Sequence, residues 1–430
     1  MSQAVAASKY EVMSISNKRG EVILAGKVVA FDYYESILSP NITANMIVVD
    51  SGGSASYDSK YDPQERAGTI YNAFPIKGRE KVKFKIKSAL GTLDFTNRSL
   101  FVNGVSNPDQ NSQRESILLS LFSEGAKLNS ESTVIRKYDG NIGQSVNNIL
   151  NEFVISKSEF VKLNSVNIQP TANAYNFVGN SKSAFEVICN LGSKSINGKD
   201  SAGFLFFETQ DGFNFKSIDS LIATKPKARY YKGEGLIGSI SNNRDNLKIL
   251  SSVIRKNQNV LNALNQGVYY SRNIFFNPKT FEETEIEYRF TEGKLVKSLG
   301  KSAEAPDVNA YTKTNYNILD IGTLEQTVAG GDNNDPKDYR AQAAMRYNIL
   351  FSQLIDIQVP CNPNLRAGDT IHCDFEIITQ SKKVQGFEDP VQSGKYLIVD
   401  LCHHYEPTRS ITSLTLARDS YGLYTTKNES

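Results

Sequence analysis

A chain of 430 residues, 40% hydrophobic and 10% aromatic, is too apolar for disorder and, at about 150 residues per domain, long enough for two to four domains. Its 48 basic and 46 acidic residues leave a formal charge of +2, which excludes a chain-wide electrostatic pull toward nucleic acid or a membrane surface. No run approaches ~18 consecutive apolar residues, so no membrane-spanning helix is expected. Cys189, Cys361, Cys373 and Cys402 form no CxxC pair, and the opening MSQAVAASKY lacks a basic segment followed by an apolar run. Reduced thiols and cytosolic synthesis without secretion are the expectation.

From 21 to 50, short apolar runs at 22–24, 28–31 and 46–49 are separated by turn residues such as Gly26, Pro40 and Asn41, the pattern of strands. The segment 81–87 alternates strictly: Val82, Phe84 and Ile86 point one way, and Lys81, Lys83, Lys85 and Lys87 the other. The lysines read as a solvated face that discourages edge pairing, in preference to a ligand-binding patch. A further strand at 99–105 ends the first unit, 1–107.

The second unit, 108–226, reads as α+β. Ser112 to Glu115 has the spacing of a capping box, and Ile117, Leu118, Leu121 and Phe122 follow at helical spacing, so a helix is expected there. Ile142, Val146, Ile149, Leu150, Phe153 and Val154 form a second apolar stripe, and Ser183 to Glu186 opens a third helix through Val187, Ile188 and Leu191. Two aromatic-rich runs between Gly203 and Phe215 flank an Asp211-Gly212 turn, which predicts a hairpin.

The third unit is assigned to 227–292 and 335–425. It begins with a helical pattern over 247–264, then strand, turn and strand through 290. The stretch 293–334 is polar and aperiodic, loosest at 330–335, and is taken as an insertion or extended loop. Asp335 and Pro336 are expected to cap a helix running through Ala344, Tyr347, Leu350, Phe351 and Leu354. Strands follow at 355–359, 370–378, 395–401 and 413–417.

Two hydrolase motifs are missing: the sequence contains no GxSxG and no HExxH. The stretch from Gly293 to Ser302 imitates a phosphate loop, but six residues separate its glycines where the motif needs four. His372-Cys373 and Cys402-His403-His404 contain zinc-ligand types. Adjacent strand residues point to opposite faces, so each group offers few ligands to one side, and buried thiols with hydrogen-bonded imidazoles are the preferred reading. Asp332, Asp335 and Asp338 lack the glycine and terminal glutamate of an EF-hand. No metal or cofactor is expected. Carboxylate pairs meet in space and cannot be assigned from spacing, so a cell-wall hydrolase stays open as an alternative.

The C-terminal third carries a resemblance. The segment from Leu365 to Asp369 before a strand, the run from Gly394 to Asp400 leading to His403 and His404, and the run from Ser413 to Asp419 together resemble the closing barrel of phage baseplate hub proteins. That family includes the late-control tail hubs and the hub part of type VI secretion spikes. The hairpin at 203–215 and the segment 216–221 resemble the family's middle domain. In local terms, Gly368 permits a tight turn, Asp369 can bond turn amides, and Gly394 breaks the chain before Tyr396 and Ile398.

The resemblance implies an α+β, β-rich chain with two tail-tube-like β-barrel domains around an α+β domain. It implies a homotrimer in which three chains present six barrels. Such a trimer would join a six-fold tail tube or tube-initiator above to a three-fold cell-puncturing spike below. It would contact baseplate wedge and tape-measure proteins and leave a channel through which DNA passes, in the tail baseplate of a virion. Arg418 is the candidate subunit contact, weighed against a rim ion pair with Asp419. A secretion-system spike hub is the other alternative; the chain stops twelve residues after Arg418, which favours a separate spike polypeptide.

Overall fold

The computed structural model describes all residues except 1–4, 6, 19, 52–68, 71–73, 75, 111–113, 160–164, 199–200, 234–243, 257–258, 279, 291–296, 301–307, 320–336, 381–386 and 421–430. Strands β1 (Lys9–Asn17), β2 (Gly20–Ile23), β3 (Val28–Ser36), β4 (Thr43–Asp50), β5 (Lys81–Lys87), β6 (Thr92–Asp94), β7 (Leu100–Gln110) and β8 (Glu115–Ser123) come first. On β5, Val82, Phe84 and Ile86 are fully buried and Lys87 is exposed, as the alternation requires.

The expected helix over 117–122 is strand β8. Ile117, Leu119 and Leu121 point into the core, so the apolar residues follow a period of two. The run Ile-Leu-Leu fits either template, and continuous pairing with β4, from Thr43 opposite Phe122 to Asp50 opposite Glu115, selects the strand. This strand group therefore continues to Ser123, past 107. Helix α1 (Glu124–Ser130) starts only there, and the Ser123 side chain caps it by accepting from the Ala126 amide.

The middle segment contains β9 (Lys137–Tyr138), α2 (Ile142–Phe153), β10 (Ser165–Ile168), β11 (Phe177–Val178), α3 (Ala184–Gly192), β12 (Phe204–Thr209), β13 (Gly212–Ser217) and α4 (Ile218–Ile222). Helix α2 buries the expected stripe. Ser183 stands at the N-cap of α3 without a capping side-chain bond. Ser132 Oγ and Asn129 Oδ1 accept from the free amides of Ala184 and Phe185, at 2.9 and 2.7 Å.

Strands β12 and β13 form the expected aromatic hairpin. Every residue of β12 is buried because it has a core on each side. Phe204 and Phe206 pack with Phe185, Phe213 and Phe215, while Leu205 and Phe207 pack with Leu350, Leu397 and Val399. At Gly368, φ is +85° and a Cβ would lie 2.8 Å from the Phe207 ring, so the hairpin leaves room for glycine alone.

The last segment holds β14 (Arg229–Lys232), β15 (Ser251–Lys256), α5 (Val260–Asn265), β16 (Tyr270–Phe276), β17 (Glu283–Arg289), β18 (Lys313–Ile318), α6 (Lys337–Leu350), β19 (Gln353–Pro360), β20 (Thr370–Phe375), β21 (Gly394–Tyr405) and β22 (Ser410–Arg418). The helical pattern over 247–264 divides into β15 and the short α5, because Val253 and Ile254 lie in a strand paired with β19. The supposed loop at 293–334 contains β18, which pairs in parallel with β16, and the buried Leu299. The expected cap at Asp335 and Pro336 and the stretch 330–335 lie outside the described residues.

One large, mainly antiparallel sheet runs through both ends of the chain, in the order β15-β19-β22-β21-β3-β4-β8-β7-β5-β1-β2. At its C-terminal end the pairings form a ring: β14 joins β20, β20 joins β21, and the Ile249 amide leading into β15 donates to Tyr231 at the end of β14, at 2.8 Å. At the junction β21 pairs with β3 over six positions, from Asp400 opposite Ser36 to Tyr405 opposite Phe31. A single core lies beneath, with Phe31 tilted against Phe84 at 4.8 Å and Phe84 stacked on Phe95 at 4.7 Å. Strands β16 to β18 make a separate small sheet.

Gly394 opens β21 at φ +142°, where an added Cβ would approach Arg418 Nη2 to 2.8 Å. Gly394→Ala is expected to lower stability by about 1–3 kcal/mol, read as a lower urea midpoint at unchanged slope.

Candidate functional site

The tip of the β12–β13 hairpin reaches under the large sheet, and charged side chains are buried around it. Glu208 is 0% exposed and forms an ion pair with Arg98. Its other oxygen accepts from the Ile42 amide at 3.1 Å and the Ser123 hydroxyl at 2.5 Å. Arg98 also donates to the carbonyls of Thr209 and Gln210, at 3.2 and 3.1 Å. Glu35, 2% exposed, accepts from Tyr33 and the Gln210 amide at 2.7 Å each, and from the Ala367 amide at 3.0 Å. Each carboxylate thus ties the hairpin to distant strands.

A third buried centre fixes α6. Arg346 binds Asp219 of α4 at 3.0 Å, Asp419 at 2.9 Å and the Lys297 carbonyl at 3.2 Å. Asp219 accepts from Ser201 at 2.7 Å, and Asp419 from the Leu299 amide at 2.8 Å. The charges are paired and hydrogen-bonded, as burial demands.

Burial pushes the carboxyls of Glu35 and Glu208 up, with Arg366 and Arg98 pulling against it. Asp369 is raised for the same reason. A perturbed carboxyl in a cleft can mark an acid catalyst. Here all three accept backbone amides, Asp369 from Arg366 at 3.0 Å, and so fix the chain around them. The Asp369 bond is the turn contact expected from the sequence.

Arg418, the candidate subunit contact, is 0% exposed. It donates to the carbonyls of Val391 and Ser393 at 3.2 Å each and lies over the Tyr396 ring at 5.2 Å, while Asp419 pairs with Arg346. A side chain without accessible surface cannot touch a second chain, so Arg418 serves the interior and neither the subunit contact nor the rim ion pair holds.

The three histidines, Cys373 and Cys402 sit within the sheet, Cys361 just past the end of β19, and Cys189 on α3, exposed. Cys361 and Cys373 are buried, and His403, also buried, faces Thr412 Oγ1 at 2.8 Å and stacks on Tyr33. His404 meets Asp32 across the β3–β21 junction and Glu406 at 2.9 Å. His372, Asp374 and Glu388 do converge, through the same-face spacing of 372 and 374. Arg229 donates to both carboxylates there, at 2.6 Å from Asp374 and 2.8 Å from Glu388.

Among curated proteins, the chain is 22% identical over 257 residues to a probable baseplate hub protein of Vibrio phage KVP40, covering 56% of this chain and 58% of that relative. The chain thus matches little more than half of the relative's length. No family model matches. Among solved structures it resembles the tail protein from Neisseria meningitidis MC58, with TM-score 0.53, 9% identity and coverage of 95% and 96% of the two chains. It also resembles the 43 kDa tail protein of prophage MuSo2 from Shewanella oneidensis, with TM-score 0.51, 10% identity and coverage of 96% and 98%. The chain therefore shares its fold with these tail proteins. In sequence its similarity is to a probable baseplate hub protein, as the C-terminal motifs implied.

Removing Arg98 alone strands a buried carboxylate. Arg98→Met is expected to lose about 3–5 kcal/mol, and Arg98→Met with Glu208→Gln to recover part of it, measured by chemical denaturation.

The neighbouring histidines are expected to titrate stability in opposite directions. Burial, aided by Arg366, pushes His403 down to about 3, so its contribution is present above the unfolded value of about 6.5 and is lost as pH falls toward 3. Burial would also lower His404, but Glu406 and Asp32 outweigh it and raise the value. Its contribution is full below about 6.5 and disappears as pH rises through the folded value. Melting temperatures of His403→Gln and His404→Gln across pH 4–9 check both signs: the first variant should flatten the acid limb, the second the alkaline limb.

Proposed function

We propose that this protein is the structural hub of a contractile phage tail baseplate, acting as a trimeric adaptor. Three chains, each contributing two groups of strands, would present six similar units to a six-fold tail tube and a three-fold face to the cell-puncturing spike. The assembly would leave a channel for the tape-measure protein and then DNA, beside the baseplate wedges. The observation that carries this reading is the continuous sheet through β3 and β21, which fixes the N-terminal and C-terminal strand groups side by side in one rigid frame. Two such groups per chain are what a conversion from six-fold to three-fold symmetry requires.

Similarity to tail and baseplate proteins supports a structural role in the virion's tail. The burial of the perturbed carboxyls also favours it over hydrolysis, since Glu208 is 0% and Glu35 2% exposed. Light scattering on the purified protein should give three times the chain mass, and averaged electron micrographs should show a three-fold ring with a pseudo-six-fold face. A monomer at high concentration, both alone and with its tube and spike partners, would sink the proposal. So would peptidoglycan lysis lost on carboxylate substitution.

A further inference from the structure

Strand β20 carries His372 and Asp374 two residues apart, so both side chains leave the same face of the sheet. His372 Nε2 lies 3.0 Å from Asp374 Oδ1. Glu388 reaches them from the segment that follows β20. The Ile377 amide donates to the Phe387 carbonyl at 2.9 Å and the Asp389 amide to the Phe375 carbonyl at 2.7 Å, which fixes Glu388 beside the strand. The donor atoms of the three side chains all lie within 4.8 Å of one another, and among the described residues no other such group forms. Cys373 takes no part, since it points to the opposite face and is fully buried.

Charge sets this cluster apart from an ordinary ion pair. Glu376 stands directly opposite Glu388 in an antiparallel bridge, and two carboxylates so placed repel each other. Asp374, Glu376 and Glu388 thus surround one guanidinium, that of Arg229, which donates to Asp374 at 2.6 Å and to Glu388 at 2.8 Å. Lys395, opposite His372 on β21, donates to the Ile222 carbonyl at 2.7 Å. Three carboxylates against one guanidinium leave two negative charges in excess when His372 is neutral, the charge of one divalent cation.

The imidazole selects the class of ion. Magnesium and calcium take oxygen ligands, whereas zinc and its neighbours accept imidazole and carboxylate together. We propose that His372, Asp374 and Glu388 bind one divalent transition-metal ion of the zinc class, which displaces the Arg229 guanidinium. Ligands at about 2.0–2.2 Å from zinc stand about 3.4 Å apart in a tetrahedron. His372 and Asp374 already meet that spacing, and Glu388, 33% exposed, closes the rest by turning inward. The Arg229 side chain is 59% exposed and that of His372 27%, so withdrawal of the guanidinium uncovers Asp374 to an incoming ion. The fourth position falls to water. Binding removes any proton from His372 Nε2, so affinity rises with pH. The bound ion clamps β20 to the segment at 387–389, and Arg229 on β14 is released to solvent.

The test is isothermal titration calorimetry of the full chain, stripped with a chelator, against zinc chloride, with melting temperature as a second readout. One zinc ion per chain should bind and raise the melting temperature. His372→Ala and Glu388→Gln should each weaken binding by at least ~10-fold. Arg229→Met removes the competing cation and should tighten binding, and zinc should raise this variant's melting temperature further than that of the unaltered chain. His404→Gln, in the other histidine–carboxylate cluster, should leave binding unchanged, and magnesium should not raise the melting temperature. The proposal is overturned by absence of zinc binding, by binding that survives both His372→Ala and Glu388→Gln, by an equal loss in His404→Gln, by looser binding in Arg229→Met, or by magnesium acting as well as zinc.

Discussion

The pairing of β21 with β3 is the constraint on which the rest of the molecule depends. It joins residues as far apart as Asp32 and His404, 372 positions in sequence, and makes one sheet of two strand groups. Without it each group would expose an unpaired edge, and the core shared by Phe31, Phe84 and Tyr405 would open. Aromatic packing supplies the non-directional part of this junction. The register is set by the alternation on both strands, since a slip of one residue would turn Tyr33 and His403 out of the core and Asp32 and His404 into it.

The second level of organisation is the aromatic hairpin, which has a core on each face and buried ions at its tip and base. Hydrophobic burial alone would hold β12 in place without fixing its direction. Glu208, Arg98 and Glu35 fix it, because each must find a specific amide or guanidinium partner. Such networks are weak contributors to net stability and strong discriminators among alternative packings when every member is satisfied. Arg346 does the same for α6, locking it to α4 and to the end of β22.

Much of this was legible in the sequence where a signal is local. The alternation of 81–87, the stripe of α2, the aromatic hairpin and the turn residues Gly368 and Gly394 each follow from a few neighbouring residues. Strand β8 was not, because Ile117 to Phe122 satisfies both periods and only β4, more than sixty positions earlier, decides between them. Strand β18 was hidden by its polar composition, its pairing with β16 being the sole reason it is extended. The buried ions left one trace: Glu208 closes a run of four apolar residues and Arg346 interrupts the apolar side of a helix, places where an unpaired charge would be costly. Their partners could not be named, since pairs such as Arg98 with Glu208 meet only through the fold. Arg418 reversed its reading for the same reason, because what looked like a charged strand end lies under the loop before Gly394.

The seam between β3 and β21 also governs timing. The third strand is made more than 350 residues before its neighbour β21, so its edge stays open until β21 has been synthesised. Long-range closure of this kind is slow compared with forming the middle helices and hairpin, whose contacts are local. A truncated or stalled chain would have its middle layer without the frame that spaces its two strand groups. The common sheet is thus withheld until β21 pairs with β3, and a chain without that pairing has two strand groups with no shared register.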